Sequence, residues 1–226
     1  MNKDTLIQTV PLFSDLSETS LKVITDKMVA RSYGKEKMIL IEESAGETFF
    51  LISEGTVKIT RMSDDGREVI LAILGEGDFF GEMALLDGEG RSANVVALED
   101  AEVLTLQRSD FLDILERFPK IAIHLLKELT TRIRHSDQQI ESLSLSGAEQ
   151  RIALVLIRLA EEMGQIKEGT VTIEHIPYQQ DIANMAGTSR ETVSRVYKML
   201  EDKNQIMREG KILKIIDFSL FSRQFT

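Results

Sequence analysis

The feature that most constrains this chain is the stretch Pro119–Leu145, whose apolar residues keep one helical period throughout. Proline at a first helical position fixes a start, because the N–H it lacks would be unpaired there in any case. Beyond it Ala122, Leu126, Leu129, Ile133, Ser136, Ile140 and Leu143 alternate steps of four and three, the a/d seam of a heptad repeat. At ~1.5 Å per residue the helix would be roughly 40 Å long, too long and too charged for a buried core helix. It could pack on its own domain, but a 3.5-residue period held for three heptads points to a homodimer seam. Ser136 places a hydroxyl in that seam between Ile133 and Ile140. A polar seam residue costs stability and usually sets register or touches something.

The 226 residues, 42% of them hydrophobic, suffice for one large or two ordinary domains with proper cores. The absence of cysteine excludes disulfides, thiol nucleophiles, cysteine-ligated zinc and cysteine-bound iron–sulfur clusters. No apolar run approaches a membrane span, and no basic segment followed by an apolar one opens the chain, so a cytoplasmic protein is expected. The net charge of −10 is unevenly spread. From Gly147 onward 11 Lys/Arg balance 11 Asp/Glu, so residues 1–146 carry all of the deficit. Within residues 188–223 the count is 8 basic against 5 acidic. An acidic total therefore does not veto a nucleic-acid partner.

Residues 4–27 hold two short helical patterns separated by Pro11, with Asp15 and Ser17 where caps would precede the Leu21/Ile24 face. From about Met28 to Leu106 glycines recur at strand-like spacing. The runs between them read as strands: Met38–Glu42, Thr48–Ser53, Val57–Arg61, Glu68–Leu74, Ala93–Leu98 and Glu102–Leu106. Ser63-Asp64-Asp65-Gly66 is a hairpin turn. An all-β barrel or double-sheet roll follows, then a short helix at Ser109–Arg117 and the long helix. Ser146-Gly147-Ala148-Glu149 has the form of a capping box. A new helix should start there, with Ile152, Val155, Leu156 and Leu159 inward and an end near Gly164. The hinge falls at Ser144–Gly147.

The chemically loaded stretch runs from Phe80 to Ala93. Gly81 permits a tight turn, and Glu82–Leu86 can form a helical turn whose unpaired N–H groups favour an anion. Arg91 is the natural charge partner for a phosphate. Glu82 beside a phosphate would be repelled by it unless the carboxylate accepts hydroxyls, as a ribose would supply. The alternative is a surface hairpin in which Glu82 and Arg91 pair with each other or with water. Nearer the C-terminus, Tyr178–Met185, then Ala186-Gly187-Thr188, then Ser189–Leu200 reads as helix, glycine turn, helix. Thr188-Ser189-Arg190-Glu191 is a further capping-box candidate. The second helix turns Val193, Val196, Tyr197 and Leu200 inward, and Glu191, Ser194, Arg195 and Lys198 outward. That outward face suits base edges, Arg to guanine and Glu to the cytosine amino group. Capping alone would also explain Glu191, and plain solvation Arg195. Gln205–Ile216 then forms a basic hairpin, a wing.

Two stretches carry a family resemblance. Gly81-Glu82-x-Ala84-Leu85, a short acidic loop and Arg91-Ser92-Ala93 resemble the phosphate-binding cassette of cyclic-nucleotide-binding domains. Gln180–Leu200, with its Ser189-Arg190-Glu191-Thr192-Val193-Ser194-Arg195 core, resembles the recognition motif of the CRP/FNR transcription regulators. The resemblance spans nearly the whole chain in the family's order. It implies an α+β architecture: a β-roll effector domain (1–118), a dimerisation helix (119–145) and a winged helix-turn-helix domain (146–226). It further implies that Glu82 holds the ribose hydroxyl and that Arg91 and Ser92 hold the cyclic phosphate, with Gly81 and Met83 as backbone neighbours. In cyclic-AMP-binding members two hydroxyl residues of the long helix contact the adenine amino group. By spacing from the proline these fall at Ser136 and Asp137. Asp137 departs from the pattern, and a carboxylate could equally favour a donor edge of guanine.

The DNA-binding set is then Gln180, Ser189, Arg190, Glu191, Ser194, Arg195 and Lys198. Ser194 looks more like the FNR branch, although the missing cysteines rule out FNR-type oxygen sensing. The expected protein is a non-enzymatic, homodimeric regulator gated by cyclic AMP or cyclic GMP, without a metal. It would bind a near-palindromic duplex and, by resemblance, RNA polymerase. The alternative keeps the architecture and changes the input to haem, 2-oxoglutarate, a cyclic dinucleotide or none. His124 and His135 on the long helix could be invoked for haem, although helical histidines are more often ordinary packing or surface residues. Three scattered histidines and no triad or metal spacing leave little for an enzyme.

Overall fold

The computed structural model describes residues 7, 8 and 10–225. The first of the two N-terminal helical patterns lies mostly outside the described residues. The chain divides into two compact units, one ending at Arg134 and one starting at His135, so the division falls inside the long helix.

In the first unit a 3₁₀ turn at Pro11–Phe13 leads to α1 (Glu18–Thr25), capped by Ser17, whose Oγ accepts from the Ser20 N–H at 3.3 Å. Eight strands follow: β1 (Val29–Tyr33), β2 (Met38–Leu40), β3 (Thr48–Glu54), β4 (Val57–Met62), β5 (Glu68–Leu74), β6 (Phe79–Phe80), β7 (Asn94–Ala97) and β8 (Ala101–Gln107). They pair as two four-stranded antiparallel sheets, β1-β8-β3-β6 and β2-β7-β4-β5. At the β4–β5 turn the Gly66 N–H donates to the Ser63 carbonyl at 2.8 Å. Gly66 takes φ +80°, which glycine adopts without a Cβ penalty. Strands β1 and β6 are the two that the sequence pattern does not announce. β1 is almost wholly exposed and lacks an apolar alternation, and β6 is two residues long.

Strand β3 explains why its run of apolar residues is unbroken. Phe49 and Leu51 face one core with Phe79, Leu85, Leu104, Phe111 and Ile121. Phe50 and Ile52 face the other, between the sheets, with Val57, Phe80, Val95 and Val103. Each such side chain contributes about 1.5–3 kcal/mol by leaving water. Between β6 and β7 lies α2 (Glu82–Asp87), and after β8 come α3 (Arg108–Arg117) and α4 (Pro119–Leu145). Helix α4 buries Ile121 and Leu125 against the first core. Its seam residues Leu126, Ile133 and Ile140 stay 63%, 62% and 63% exposed, an apolar stripe that the protomer itself does not cover.

The second unit contains the end of α4, α5 (Ala148–Met163), β9 (Gln165–Lys167), β10 (Thr170–Ile173), α6 (Gln179–Ala186), α7 (Arg190–Asp202), β11 (Ile206–Glu209), β12 (Ile212–Ile215) and α8 (Phe218–Phe225). Its sheet runs β11-β12-β10-β9, so the wing hairpin joins a second hairpin that the sequence reading missed, as it missed α8. Both capping boxes shift by one residue. Gly147, not Ser146, is the N-cap of α5, because the first helical bond runs from the Arg151 N–H to the Gly147 carbonyl at 3.0 Å. Ser189, not Thr188, caps α7. The Thr188 N–H closes the end of α6 on the Ala183 carbonyl, while Ser189 Oγ accepts from the Thr192 N–H at 3.3 Å. Among the described residues no helix is long and apolar enough to cross a membrane.

Candidate functional site

The site in the first unit is built around two buried charges, Glu82 (3% exposed) and Arg91 (5% exposed). Gly81 caps α2 at φ +82°, and its carbonyl accepts from Arg91 Nη1 at 2.7 Å. Arg91 Nη2 donates to the Thr48 carbonyl on β3, also at 2.7 Å, while its Nε is sheltered and has no partner. The guanidinium lies 5.8 Å from the Phe50 ring centroid. Gly46 makes this cradle possible. A Cβ there would sit 2.4 Å from Ala84 Cβ and 3.1 Å from Arg91 Nε. Burial lowers the proton affinity of the Arg91 guanidinium, against the pull of Glu82 and Glu47, yet an arginine keeps its charge in such surroundings. A cation fixed by carbonyls, with its Nε left without a partner beside the first turn of a helix, has the chemistry to receive an oxyanion.

Burial pushes the Glu82 carboxyl above the ordinary carboxylate range, with Arg132 acting against the rise. Arg132 is the residue that sequence reasoning missed. From α4 its Nη1 reaches Glu82 Oε1 at 3.2 Å and its Nη2 donates to the Phe79 carbonyl at 2.8 Å. Its guanidinium stacks 4.5 Å from the Phe79 centroid, and Glu128 Oε1 stands 3.4 Å from Nε. The only available signal was its place four residues before Ser136, one helical turn away. The pairing of Glu82 with Arg91 weighed from the sequence does not form, since each charge has its own partner. Met83 and Ser92 lie at the exposed side of the loop, with Ser92 Oγ 3.6 Å from Met83 Sδ. Ser136 and Asp137 are exposed residues of α4 that belong to the second unit. Among the described residues no group of three or more His, Asp or Glu could hold a metal ion.

In the second unit the helix pair is α6 and α7, joined through Gly187 at φ +56°. Val193, Val196, Tyr197 and Leu200 are buried; Arg190, Glu191, Ser194, Arg195 and Lys198 are exposed. The backbone N–H of Glu191 and the Ser189 hydroxyl hold the Glu191 carboxyl below its usual range, so it stays ionised. Arg195 Nη2 donates to Thr192 Oγ1 at 3.1 Å, which aims the guanidinium along the outer face. Gln180 is exposed on α6, and its amide donates to Asn184 Oδ1 at 2.9 Å. Arg151 clamps the turn: its three nitrogens donate to the carbonyls of Ala186 (2.8 Å), Ser146 (2.8 Å) and Gly187 (3.2 Å).

Known proteins share both halves. A family model for the cyclic nucleotide-binding domain matches residues 30–118, and one for the Crp-like helix-turn-helix domain matches residues 150–222. The "Cyclic AMP receptor protein" of Thermus thermophilus is 35% identical over 218 residues, covering 93% of this chain and 98% of that relative. The solved catabolite activator protein of Thermus thermophilus is 33% identical, covers 94% of this chain and 97% of its own, and superposes with a TM-score of 0.55. FixK2 from Bradyrhizobium japonicum, 22% identical over 88% of this chain and 98% of its own, shares the fold with a TM-score of 0.79. A β-roll that cradles a buried arginine, joined by a long helix to a helix-turn-helix with this outer face, places the chain in the CRP/FNR family of transcription regulators.

Proposed function

We propose that the protein is a homodimeric, DNA-binding regulator gated by a cyclic nucleotide, cyclic AMP before cyclic GMP, bound in the β-roll. The observation that carries this reading is the Arg91 cradle, a buried cation with an unused donor at the first turn of α2. Arg91 and Ser92 hold the cyclic phosphate, with Gly81 and Met83 as backbone neighbours. Glu82 accepts from the ribose hydroxyl and is kept in place by Arg132. Ser136 and Asp137 select the base. The exposed Leu126, Ile133 and Ile140 stripe supports a helix pair between two copies.

Nucleotide shifts the balance between two arrangements of that pair, and Arg151 carries the shift from the Ser146 carbonyl to the Ala186-Gly187 turn. Two α7 helices then read successive major grooves about 34 Å apart, hence a near-palindromic site. Gln180, Ser189, Arg190, Glu191, Ser194, Arg195 and Lys198 make the contacts. RNA polymerase is the downstream partner, and the work is done in the cytoplasm, where the DNA is. Regulation of this kind needs no catalysis. Because coupling is reciprocal, DNA tightens nucleotide binding by the same factor.

The test is a thermal-shift panel of cyclic AMP, cyclic GMP and cyclic di-GMP on the dimeric protein. A true effector at ~100 times its dissociation constant stabilises by roughly 2.7 kcal/mol. Stabilisation by a cyclic mononucleotide supports the reading. A response to cyclic di-GMP alone would replace the effector, and none at all would leave a ligand-independent regulator.

A further inference from the structure

The second unit holds a cavity of about 580 Å³, within the size range of small-molecule sites. It opens between the last turns of α4, helix α5 and the C-terminal residues of α8. Its lining includes the apolar Leu145, Leu154, Ile157 and Phe225. It also includes two arginines, Arg151 and Arg158, with Gln138 and Ser142. Arg151 already donates three of its five N–H groups to carbonyls, so it is largely committed to the turn it clamps. Arg158 is different. Its side chain is 19% exposed, and its Nε and Nη2 are closed off from water without a hydrogen-bond partner. Glu162 stands 3.8 Å from Nε, an ion pair too long to be a hydrogen bond.

Nε and Nη2 share one edge of a guanidinium, the edge that grips a carboxylate or phosphate through two parallel N–H bonds. Sheltered donors left unpaired are costly, and a cation among desolvated neighbours draws an anion more strongly than one in water. Two lining carboxylates, Glu141 and Glu161, and the Glu162 ion-pair partner oppose this, but all three residues are exposed, whereas Arg158 is largely enclosed. We infer that this cavity is a second effector site, which takes a small organic oxyanion with an apolar body: Arg158 turns its sheltered Nε/Nη2 edge toward the cavity to meet the head, and the body rests on Leu154 and Phe225. Such a ligand lies beside the Arg151 clamp and acts on the DNA-binding half directly, independently of the nucleotide in the other unit.

The experiment uses full-length protein labelled with ¹⁵N-arginine, carrying Arg91→Ala so that the β-roll cation cannot respond. Benzoate, octanoate and phenyl phosphate are titrated, with benzamide and inorganic phosphate as controls. The expected result is a saturable movement of the Arg158 Nε–H signal with at least one organic oxyanion and a weaker response to both controls. Arg158→Gln should weaken that binding about ten- to hundredfold, the worth of a hydrogen bond to a charged group. An unmoved Arg158 signal with every probe, an equal response to benzamide, or affinity retained in Arg158→Gln would each overturn the inference. Should Arg158→Gln not fold, the titration of the unsubstituted Arg158 signal decides alone.

Discussion

The two halves of the chain handle charge in opposite ways. In the β-roll, Glu82 and Arg91 are buried and each is already held by protein groups, Arg132 for one and two carbonyls for the other. On α7, Glu191, Arg195 and Lys198 stand in water. Desolvation in the first case is borne once, during folding, and leaves a preformed cradle, which on the proposed reading takes one small anion. In the second it is deferred until DNA arrives, and affinity comes largely from released counterions. Nucleotide binding should therefore be steep in chemistry and shallow in salt, and DNA binding the reverse.

The strongest attempt to break this contrast is Arg91→Ala. Truncating one partner of a buried, hydrogen-bonded charge pair costs about 2–5 kcal/mol, so cyclic-nucleotide affinity measured by calorimetry should fall at least about thirtyfold. Sedimentation should still find the dimer, since Arg91 is remote in sequence from the α4 stripe. Retained affinity would reject the cradle as the phosphate receptor. Arg195→Ala comes next and tests the exposed side. It should cost about 1–3 kcal/mol at one base position in a binding-site selection. A uniform loss across sequences would make Arg195 a backbone contact.

The subtlest test sharpens the burial argument itself. Burial raises the proton affinity of Glu82 in the folded chain, so between pH 4.5, the ordinary glutamate value, and its raised value the folded state binds more protons than the unfolded one. Stability from this group is then greatest at the acid end and declines as pH rises through that window. Glu82→Gln does not titrate, so the stability difference, wild type minus variant, should fall with rising pH in urea titrations. A difference independent of pH would mean that Arg132 neutralises the carboxylate in full.

The sequence was informative where local chemistry and function coincide. Glycine turns bracket β2 to β5 closely, and β5 occupies Glu68–Leu74 as its pattern predicts. Gly81, Glu82 and Arg91 stand out through the resemblance of their stretch to a phosphate-binding cassette, since their chemistry alone also fits a surface hairpin. Arg132 was invisible for the opposite reason. An arginine within a charged helix looks solvated, and its partner lies 50 residues away in sequence. The β9–β10 hairpin escaped because its turn is Glu168-Gly169, with both residues at positive φ, rather than the Asn-Gly or Asp-Gly that announces such turns. Helix α8 was legible in retrospect. Phe221 and Phe225 are spaced for one buried face, and Asp217 Oδ1 accepts from the Leu220 N–H at 2.9 Å. The shifted caps show that a Ser or Thr near a helix start is a weak guide to which residue caps.

The uncovered stripe on α4 has a consequence for the cell. A chain that meets no second copy leaves Leu126, Ile133 and Ile140 wet, so, if the proposed two-fold operator is its target, its competence to read it depends on how many copies are present. Abundance thereby becomes an input alongside the effector, and a promoter with weak half-sites would register a change in protein dosage before one with strong half-sites does.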